Sequence, residues 1–549
     1  MVVPYIPEAP SAKDAGEWGL GLANSAEMPV PVKLHVTGNL PEWLAGQLFR
    51  AGPSKFEIPL TKDIQAKTGK KTYSIHHWFD GMSVIHRFDI RTDGSVWYSS
   101  RATANGEEAA ISESGISGVA FAQRDICRSL FKKVFTTFTA LTGIARPASS
   151  GKPDSANVGV TVSLNYPLAK SARKSTSTGN EPLTLLVKTD ANILQELDPV
   201  TLEPVRVFNY TEINPAFPGA LSAAHHQFDA STREYYNYTI EFGPKTKFHL
   251  FTISEANPKG RLLVTINNCI PAYVHSFTLT DKYIVIPFYP YSVSIGGVSV
   301  LWHQNVLDSL VWDGSKETRL AVVDRKSGAH VATYVTDSFF AFHTINAWDA
   351  GDDIIFDTCG VDDATLVTDF YLNNMRKKGG LTKFPRVRRY VLSNLSQAIK
   401  THDPNDATLT PSAASKAPKA SFTIISTVGV ELPRFNPHYH RKPYQYVYGI
   451  STKSDFIDAL CKVDVTGVDA AKVWSEPHCY PGEPVFMPSP NATAEDDGVI
   501  LSVVLDASKG SSFLLVLDAH TFVEVARAGF EKDHVIPFGF HGAFNSVGK

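Results

Sequence analysis

The chain has 549 residues, of which 43% are hydrophobic and 19% are charged, a composition typical of a folded protein with a large core. Its formal net charge of −3 lacks the basic excess expected of a nucleic-acid-binding protein. The five scattered cysteines form no CxxC pair and argue against a secreted disulfide framework. No signal peptide and no run of about 18 apolar residues is recognisable, so we expect a cytoplasmic protein without a membrane span.

Residues 1–30 are expected to form an irregular N-terminal arm, and β-rich runs begin after it, for example at 32–36. Asp-Gly pairs such as Asp80-Gly81 are hairpin signals that separate these runs. Many short strands at this density indicate a sandwich, a barrel or a propeller. The length favours a propeller, which has roughly 4–8 blades of about four strands each. We therefore predict an all-β fold in which residues 31–549 form a single propeller domain.

Two stretches break the β pattern and predict helices. Apolar residues at helical spacing in 121–141, with lysines and arginines between them, indicate an amphipathic helix with a basic face. An anionic membrane surface and the side of the sheet are equally suitable partners for its apolar face. A second helical piece is predicted at 365–378, so helical insertions cover about 107–145 and 363–380. Stretches rich in serine, alanine, proline and lysine are interpreted as exposed insertions, at 145–182 and 401–420.

Four histidines lie in apolar, strand-like surroundings, at His225, His275, His343 and His541. The intervals between them are 50, 68 and 198 residues, which correspond to about one, one and three propeller blades. A propeller brings the innermost strand of every blade to one axis, so these side chains can meet there. The glycines beside His541 let the backbone approach other groups closely. Because imidazole binds divalent iron, copper, zinc and nickel, we predict that the four histidines bind one metal ion.

Other histidines are rival candidates on composition and spacing alone, because any of the 18 histidines can be a structural residue. Two pairs stand close together along the chain, His76 with His77 and His438 with His440. The second pair shares one face of a strand if that segment is extended. The residues by themselves leave the choice between these sets open.

Ordered motifs over most of the chain favour the first set. They include Gly38-Asn39-Leu40-Pro41, Gly46-Gln47-Leu48-Phe49-Arg50-Ala51-Gly52-Pro53, Phe79-Asp80-Gly81-Met82, Glu431-Leu432-Pro433 and Tyr480-Pro481-Gly482-Glu483-Pro484. The histidines themselves lie in Ala224-His225, Tyr273-Val274-His275-Ser276-Phe277, Phe342-His343-Thr344-Ile345-Asn346 and Phe540-His541-Gly542. Read in this order, from about Gly38 to the C-terminus, the chain resembles the carotenoid cleavage oxygenases, and most of all their animal branch.

This resemblance implies a seven-bladed β-propeller with a small helical cap over an axial iron site. It implies that the ligands of an Fe(2+) ion are His225, His275, His343 and His541. It also implies carboxylates behind three of these ligands, because a metal-bound imidazole usually donates its other N–H to a carboxylate or carbonyl. Those carboxylates correspond to Asp190, Glu431 and Glu483. Asp190 stands where the family usually has glutamate, so its shorter side chain predicts a longer or water-bridged contact.

The resemblance further implies the reaction, in which O2 cleaves a conjugated C=C bond of a carotenoid or apocarotenoid into two carbonyl products. Stilbene-cleaving members place a tyrosine and a lysine against the phenol of their substrate, and this chain has Ala102 and Thr189 at those positions. Lys188 is adjacent, but in a strand its side chain points to the opposite face. A polyene is therefore favoured over a stilbene. The substrate tunnel is assigned on the same ground to Ala102, Thr189, Tyr273 and Leu432.

Two further functions stay open. Retinoid isomerisation occurs in the family, although oxygenase activity is far more widespread there. A propeller that binds a lipid or a protein partner without catalysis belongs to a different class, because a fold does not determine function. The iron content of the purified protein discriminates between an enzyme and such a binding propeller.

Peripheral membrane contact is expected, because carotenoids partition into bilayers and a soluble enzyme has to extract them. The predicted helix in 121–141 offers Phe131, Phe135 and Phe138 beside two lysines. Apolar burial in the interface and attraction of basic residues to anionic lipid would act together. Cys127 opens this stretch in a way similar to the membrane-docking segment of the family's retinoid isomerase.

Overall fold

The structure is a computed structural model. It describes residues 8–11, 13–117, 121–122, 152–168, 180–243, 245–293, 306–403, 409, 417–467 and 470–547. Short antiparallel strands are the main regular secondary structure of this described part. The strands of its first portion are β1 (Val32–Gly38), β2 (Gly46–Lys55), β3 (Glu57–Pro59), β4 (Thr72–Ser74), β5 (Met82–Ile90) and β6 (Val96–Ala102).

Five sheets of four or five strands then follow one another along the chain. The first is formed by β7 (Thr161–Leu164), β8 (Leu185–Lys188), β9 (Leu194–Leu197) and β10 (Pro204–Phe208). The second is formed by β11 (Leu221–Ser222), β12 (Gln227–Asp229), β13 (Glu234–Glu241), β14 (Lys247–Ser254) and β15 (Arg261–Asn267). The third is formed by β16 (Thr278–Leu279), β17 (Tyr283–Phe288), β20 (Thr318–Asp324) and β21 (His330–Thr336), with the hairpin β18 (Tyr291–Val293) and β19 (Leu310–Trp312) between them.

The fourth of these sheets is formed by β22 (Thr344–Ala350), β23 (Asp353–Gly360), β24 (Arg386–Leu392) and β25 (Ser421–Ile424). The fifth is formed by β26 (Glu431–Arg434), β27 (Tyr446–Ser451), β28 (Ala459–Asp464) and β29 (Lys472–Trp474). The chain ends with β30 (Cys479–Pro481), β31 (Val485–Pro488), β32 (Gly498–Asp506), β33 (Ser511–Asp518), β34 (Glu524–Gly529) and β35 (Gly542–Ser546).

The first and last strands of the chain share one ten-stranded sheet. Its order is β30-β32-β33-β34-β1-β6-β5-β2-β35, with β31 paired to β32. Strand β1 pairs with β34 on one side and with β6 on the other, while β35 pairs with β2. These pairings fasten the C-terminal strands to the N-terminal ones, so the succession of sheets closes into a ring. The predicted all-β propeller is therefore confirmed.

Helices are few and short in the described ranges. The α-helices are α1 (Lys62–Thr68), α2 (Asn105–Ser114), α3 (Tyr210–Ile213), α4 (Thr365–Asp369), α5 (Leu372–Met375) and α6 (Leu395–Thr401). Short 3₁₀ helices cover Glu17–Leu22, Glu42–Leu44, Trp78–Asp80, Leu307–Ser309 and Pro437–Tyr439. No helix within these described ranges combines the length and the apolar character that a membrane span needs.

The helical piece predicted at 365–378 is two helices, α4 and α5, separated by an extended residue. Tyr371 has φ −61° and ψ 131°, and it forms a β-bridge with His77. This pairing across the chain interrupts the helix. Of the other predicted insertion, 107–145, the structure describes α2 and its surroundings, whereas the helix predicted in 121–141 lies almost wholly outside the described residues.

The stretch 145–182 is not simply an exposed insertion, because its described part contains β7. Thr161 and Ser163 are buried in that strand, and Val158 and Tyr166 beside it are 0% and 1% exposed. The serine- and proline-rich composition therefore misled the prediction here. Pairing with β8 supplies the hydrogen bonds that hold this polar segment in the sheet.

The N-terminal arm is packed against the propeller. Trp18 is 3% exposed, stacks on Phe456 with ring centroids 5.0 Å apart, and donates its indole N–H to the carbonyl of Met375 at 2.6 Å. Leu22 in the same turn is fully buried. The arm thus contributes to the core although its sequence carries no strand or helix pattern.

We expect Trp18→Ala to lower the free energy of unfolding by about 3–5 kcal/mol, because it leaves a cavity and an unpaired carbonyl. Leu20→Ala is the matched control in the same turn, since Leu20 is 43% exposed. Urea unfolding followed by circular dichroism measures both. Equal midpoints for the two variants would show that the arm is not part of the core.

Candidate metal centre

The four predicted histidines stand at, or just before, the start of a strand. His225 precedes β12, His275 precedes β16, His343 precedes β22 and His541 precedes β35. Hydrogen bonds tie these segments side by side. The amide of His225 donates to the carbonyl of His275 at 3.4 Å, and the hydroxyl of Ser276 donates to the carbonyl of Phe342 at 2.7 Å. Residues far apart in sequence are thereby brought to one point of the ring.

The four imidazoles converge. One candidate ligand atom from each of His225, His275, His343 and His541 lies within 4.8 Å of the others. The Nε2 atom of His541 is 3.0 Å from Nε2 of His225 and 3.2 Å from Nε2 of His343. His275, His343 and His541 are buried, and His225 is half-buried. The structure therefore brings together the whole predicted set.

Three of the histidines have a carboxylate behind them. Nδ1 of His343 lies 2.5 Å from Glu431 Oε2, and Nδ1 of His541 lies 2.6 Å from Glu483 Oε1. Nδ1 of His275 lies 2.9 Å from Asp190 Oδ2. The Asp190 contact is the longest of the three, as its shorter side chain predicts, but it is direct and needs no bridging water. No carboxylate contacts His225 among the described residues.

These hydrogen bonds decide where the lone pairs point. An imidazole that donates its Nδ1–H to a carboxylate is in the tautomer whose Nε2 carries a lone pair. His343 and His541 both have this arrangement, so their facing Nε2 atoms cannot hydrogen-bond to each other. Lone pairs that converge without a proton between them are stabilised by a cation. The donor set thus fits a divalent transition metal, for which neutral imidazole is a preferred ligand.

Burial and neighbouring charges shift the pKa values of His225, His541 and Glu483. Burial lowers the pKa of His541 to about 4, although the carboxylate of Glu483 acts in the opposite direction. Burial and the neighbouring imidazoles lower the pKa of His225 well below its ordinary value. Burial opposes ionisation of Glu483, yet Arg434 and His541 lower its pKa to about 2. At neutral pH His225 and His541 are therefore neutral, and the carboxylate behind His541 is ionised.

The rival histidines have other partners. His77 is fully buried, its Nδ1 accepts the amide of Phe79 at 3.2 Å, and its Nε2 lies 2.9 Å from the carbonyl of Val367. Both ring nitrogens of His77 are thus engaged by the backbone. His438 lies in the 3₁₀ helix Pro437–Tyr439, and His440 follows that helix. Both come after the end of β26, the strand that begins with Glu431. Within the described ranges, none of His76, His77, His438 and His440 belongs to a cluster of metal-ligating side chains.

An apolar cavity opens beside the imidazoles. Its polar walls are His275, His343, His541, Asp190 and Glu431. Its other walls are Trp78, Phe79, Val160, Phe342, Leu366, Phe370, Leu381, Phe384, Leu432, Ile450, Ile457 and Phe540. A cavity so rich in aromatic and aliphatic side chains suits a long apolar ligand.

Of the four residues assigned to the tunnel, Leu432 lines this cavity. Tyr273 does not line it but donates its hydroxyl to Asp190 at 2.7 Å. The backbone amide of Ala102 donates to Glu27 at 2.6 Å at the end of β6, and Thr189 follows β8; neither lines the cavity. A role for Ala102, Thr189 and Tyr273 in a tunnel stays a prediction. Phe131, Phe135 and Phe138 lie outside the described residues.

Sequence reasoning did not single out the aromatic walls or Arg434. Phe79, Phe342 and Phe540 stand within the quoted motifs, so their place beside the histidines could have been inferred from them. Arg434 follows Glu431-Leu432-Pro433 directly and donates from Nε to Glu483 at 2.9 Å. No sequence signal indicates that contact, because the two residues belong to different sheets.

Comparisons with known proteins agree with this geometry. Residues 22–546 match the family model described as Retinal pigment epithelial membrane protein. A Neurospora crassa protein named carotenoid dioxygenase is 33% identical over 94% of this chain and 89% of that protein. A torulene dioxygenase of Gibberella fujikuroi is 32% identical over 93% of this chain and 90% of that protein.

Among solved structures, the cobalt-substituted apocarotenoid oxygenase of Synechocystis superposes with a TM-score of 0.72. That likeness covers 97% of this chain and 98% of the other at 21% identity, and it shows that the two proteins share a fold. The family match over nearly the whole length and the relatives above 30% identity show which family the chain belongs to. The chain belongs to the carotenoid oxygenase family, whose model bears the name of the retinal pigment epithelial membrane protein.

Proposed function

We propose that the protein is an iron(II)-dependent dioxygenase that cleaves a conjugated C=C bond of a carotenoid or apocarotenoid into two carbonyl products. The observation that carries this proposal is the convergence of four imidazoles, three of which line an apolar cavity. The names of the relatives, carotenoid dioxygenase and torulene dioxygenase, support the same reaction class and substrate class.

In this proposal the metal ligands are His225, His275, His343 and His541. Four nitrogen ligands suit several divalent metals, and the choice of iron rests on the family. The protein neighbour crystallised with cobalt in place of its own metal supports a metal centre in this fold. When bound, iron(II) supplies the one-electron and O2 chemistry that the cleavage of a C=C bond requires. Asp190, Glu431 and Glu483 hold the imidazoles in the tautomer and orientation that bind it.

The chain's own contribution to catalysis is to position a polyene and to exclude water. Phe79, Phe342 and Phe540 line the cavity beside the histidines. The ring centroid of Phe79 is 5.6 Å from that of Phe342 and 5.4 Å from that of Phe540. Such rigid aromatic walls hold a conjugated chain in one orientation next to the metal, which is the proximity effect. The same walls keep bulk water from the reacting atoms.

A stilbene is the alternative substrate. Its phenol needs a tyrosine or lysine, and the lining residues of the cavity include neither within the described part of the chain. Lys188 is 2% exposed and its ammonium group contacts the ring of His226, away from the cavity walls. These observations favour the polyene.

We also propose that the propeller has seven blades and that residues 31–549 form one domain. The ten-stranded sheet then counts as two blades, one built on β32 and β33 and one built on β2 and β5, with β1 bridging their outer edges. Together with the five separate sheets this gives the number typical of the family.

Membrane contact through the segment 121–141 is part of the proposed function. Phe121, at the start of this segment, packs on Phe79 at 5.0 Å and on Tyr273 at 5.9 Å. Phe79 is a wall of the cavity. These contacts support the proposal, because Phe121 lies next to a wall of the cavity.

The function is tested on the purified protein by iron analysis and by product analysis with a panel of carotenoids and stilbenes. We expect one iron per chain and aldehyde products from a carotenoid. Alanine at His225, His275, His343 or His541 should remove iron and activity together. Full iron occupancy in two or more of these variants would refute the ligand set, and cleavage of stilbenes alone would refute the substrate class.

We expect Glu431→Gln and Glu483→Gln to weaken iron binding or turnover by roughly 10- to 100-fold, because each loses the charge that supports its histidine. Asp190→Glu should retain more activity than Asp190→Ala. Chelator competition measures the affinity for iron, and circular dichroism checks the fold. Unchanged iron affinity and turnover in both glutamine variants would show that these carboxylates do not support the ligand histidines.

For membrane contact we expect the triple change of Phe131, Phe135 and Phe138 to serine to release the protein from anionic liposomes. Cleavage of bilayer-borne carotenoid should slow, while cleavage of detergent-solubilised substrate continues. Binding of the unchanged protein should weaken with salt, since basic residues contribute about 1 kcal/mol each at such a surface. Unfolding of the triple variant, seen by circular dichroism, would instead indicate a helix buried against the sheet.

A further inference from the structure

The three supporting carboxylates differ in what else they bind. In each, the oxygen that contacts the histidine also accepts a second hydrogen bond. Asp190 Oδ2 accepts the hydroxyl of Tyr273 at 2.7 Å, and Glu431 Oε2 accepts the amide of Leu432 at 2.7 Å. Both of these second donors are uncharged. They leave the negative charge of the carboxylate available to its histidine.

Glu483 differs because its second donor is a cation. Its Oε1 accepts Nδ1–H of His541 at 2.6 Å and Nε–H of Arg434 at 2.9 Å. Its Oε2 accepts the amide of Gly542 at 2.8 Å. Glu483 is 1% exposed, whereas the side chain of Arg434 is 35% exposed, so the guanidinium group joins the buried carboxylate to the protein surface.

Arg434 is held in place from two sides. Its Nη2 donates to the carbonyl of Gly542 at 2.7 Å while its Nε contacts Glu483. Arg434, Glu483 and Gly542 thus form a closed ring of hydrogen bonds around the start of β35, directly after His541. The second donation, to the backbone carbonyl, fixes the guanidinium group so that its Nε points at Glu483.

Strand β26 supports two of the four histidines. Glu431 at its start contacts His343, and Arg434 at its end contacts the carboxylate behind His541. A second cation, the buried Arg50, lies beside Gly482, the residue before Glu483. A Cβ atom on Gly482 would be 2.2 Å from Nη2 of Arg50, so the glycine before Glu483 leaves room for that guanidinium group.

We propose that Arg434 is a positioning residue of the metal centre, acting on His541 through Glu483. It holds the carboxylate against His541 and draws part of its negative charge away from the imidazole. A carboxylate that accepts the N–H of a metal-bound histidine raises the basicity of that ligand. Sharing the oxygen with a guanidinium reduces this effect, so His541 donates less charge to the metal than His275 or His343. The inference rests on the proposed function, because it needs a metal bound by these histidines.

The test compares Arg434→Gln and Arg434→Lys with the unchanged iron-loaded protein. Glutamine can still donate a hydrogen bond to Glu483 but carries no charge, whereas lysine keeps the charge. In Arg434→Gln we expect the oxidised iron to be favoured about tenfold more, a fall of 59 mV in the one-electron reduction potential. In Arg434→Lys the equilibrium constant between oxidised and reduced iron should change by less than about threefold. Spectroelectrochemical titration measures the potential, and iron content and thermal midpoint are recorded for every variant.

Arg389→Gln is the matched control. Arg389 donates from Nε to the fully buried Asp357 at 2.9 Å, the same distance as in the Arg434 pair, but Asp357 contacts no histidine of the centre. A purely structural role predicts equal losses of thermal midpoint in both glutamine variants and no shift of potential.

An unchanged potential in iron-loaded Arg434→Gln overturns the inference. If that variant fails to fold, a tenfold or larger change in Arg434→Lys overturns it instead, because lysine keeps the charge. Failure of the unchanged protein to bind iron would contradict the proposed function itself. Iron binding with a potential that ignores Arg434 would contradict only the role of this residue.

Discussion

The protein depends on one constraint, the meeting of four imidazole lone pairs at a single point. Three of the four rings are oriented by a carboxylate at 2.5–2.9 Å. The hydrogen bond from Nδ1 leaves Nε2 of each of these three rings free to face the others. Without a cation this arrangement is repulsive, so the polypeptide has to hold it by its own packing. The network of carboxylates, Tyr273 and Arg434 around the rings supplies that rigidity.

The closure of the propeller provides the packing. A ring of sheets holds residues at its centre only if its ends are joined, and here β1 pairs with both β34 and β6. Strand β35 pairs with β2 and follows directly after His541. The C-terminal strand therefore completes the ring and delivers a candidate ligand in the same step. A terminal segment that would otherwise fray is tied down by this pairing.

The polar centre is combined with an almost wholly apolar cavity. Trp78, Phe79, Phe342, Phe370 and Phe540 pack around the approach to the histidines. Low local polarity strengthens the hydrogen bonds of the carboxylates and favours a hydrocarbon over water. The same environment makes an unpaired buried charge costly, which explains why each of the three supporting carboxylates has a second donor.

The sequence alone determined the class of fold, through short strands, hairpin signals and length. The apolar settings of His225, His275, His343 and His541 and their motifs also identified the set that the structure brings together. Local patterns are sufficient for the class of fold, because strand formation and burial are read from neighbouring residues. The choice of these four histidines over the rival pairs rested on the resemblance of the motifs to the family. Glu431 and Glu483 were recognised as supports by resemblance, because each lies in a conspicuous motif.

Only the tertiary structure decided which carboxylate stands behind which histidine and that Arg434 shares Glu483 with His541. These contacts join segments far apart along the chain, 58 residues for Glu483 and His541 and 88 for Glu431 and His343, and such distances carry no periodic signal. For the same reason one sequence-based interpretation failed and another was confirmed only in part. The segment around β7 is polar but is held by pairing with β8, and the helix expected at 365–378 is interrupted because Tyr371 pairs with His77. Long-range pairing overrides local composition wherever it supplies hydrogen bonds that the local pattern does not.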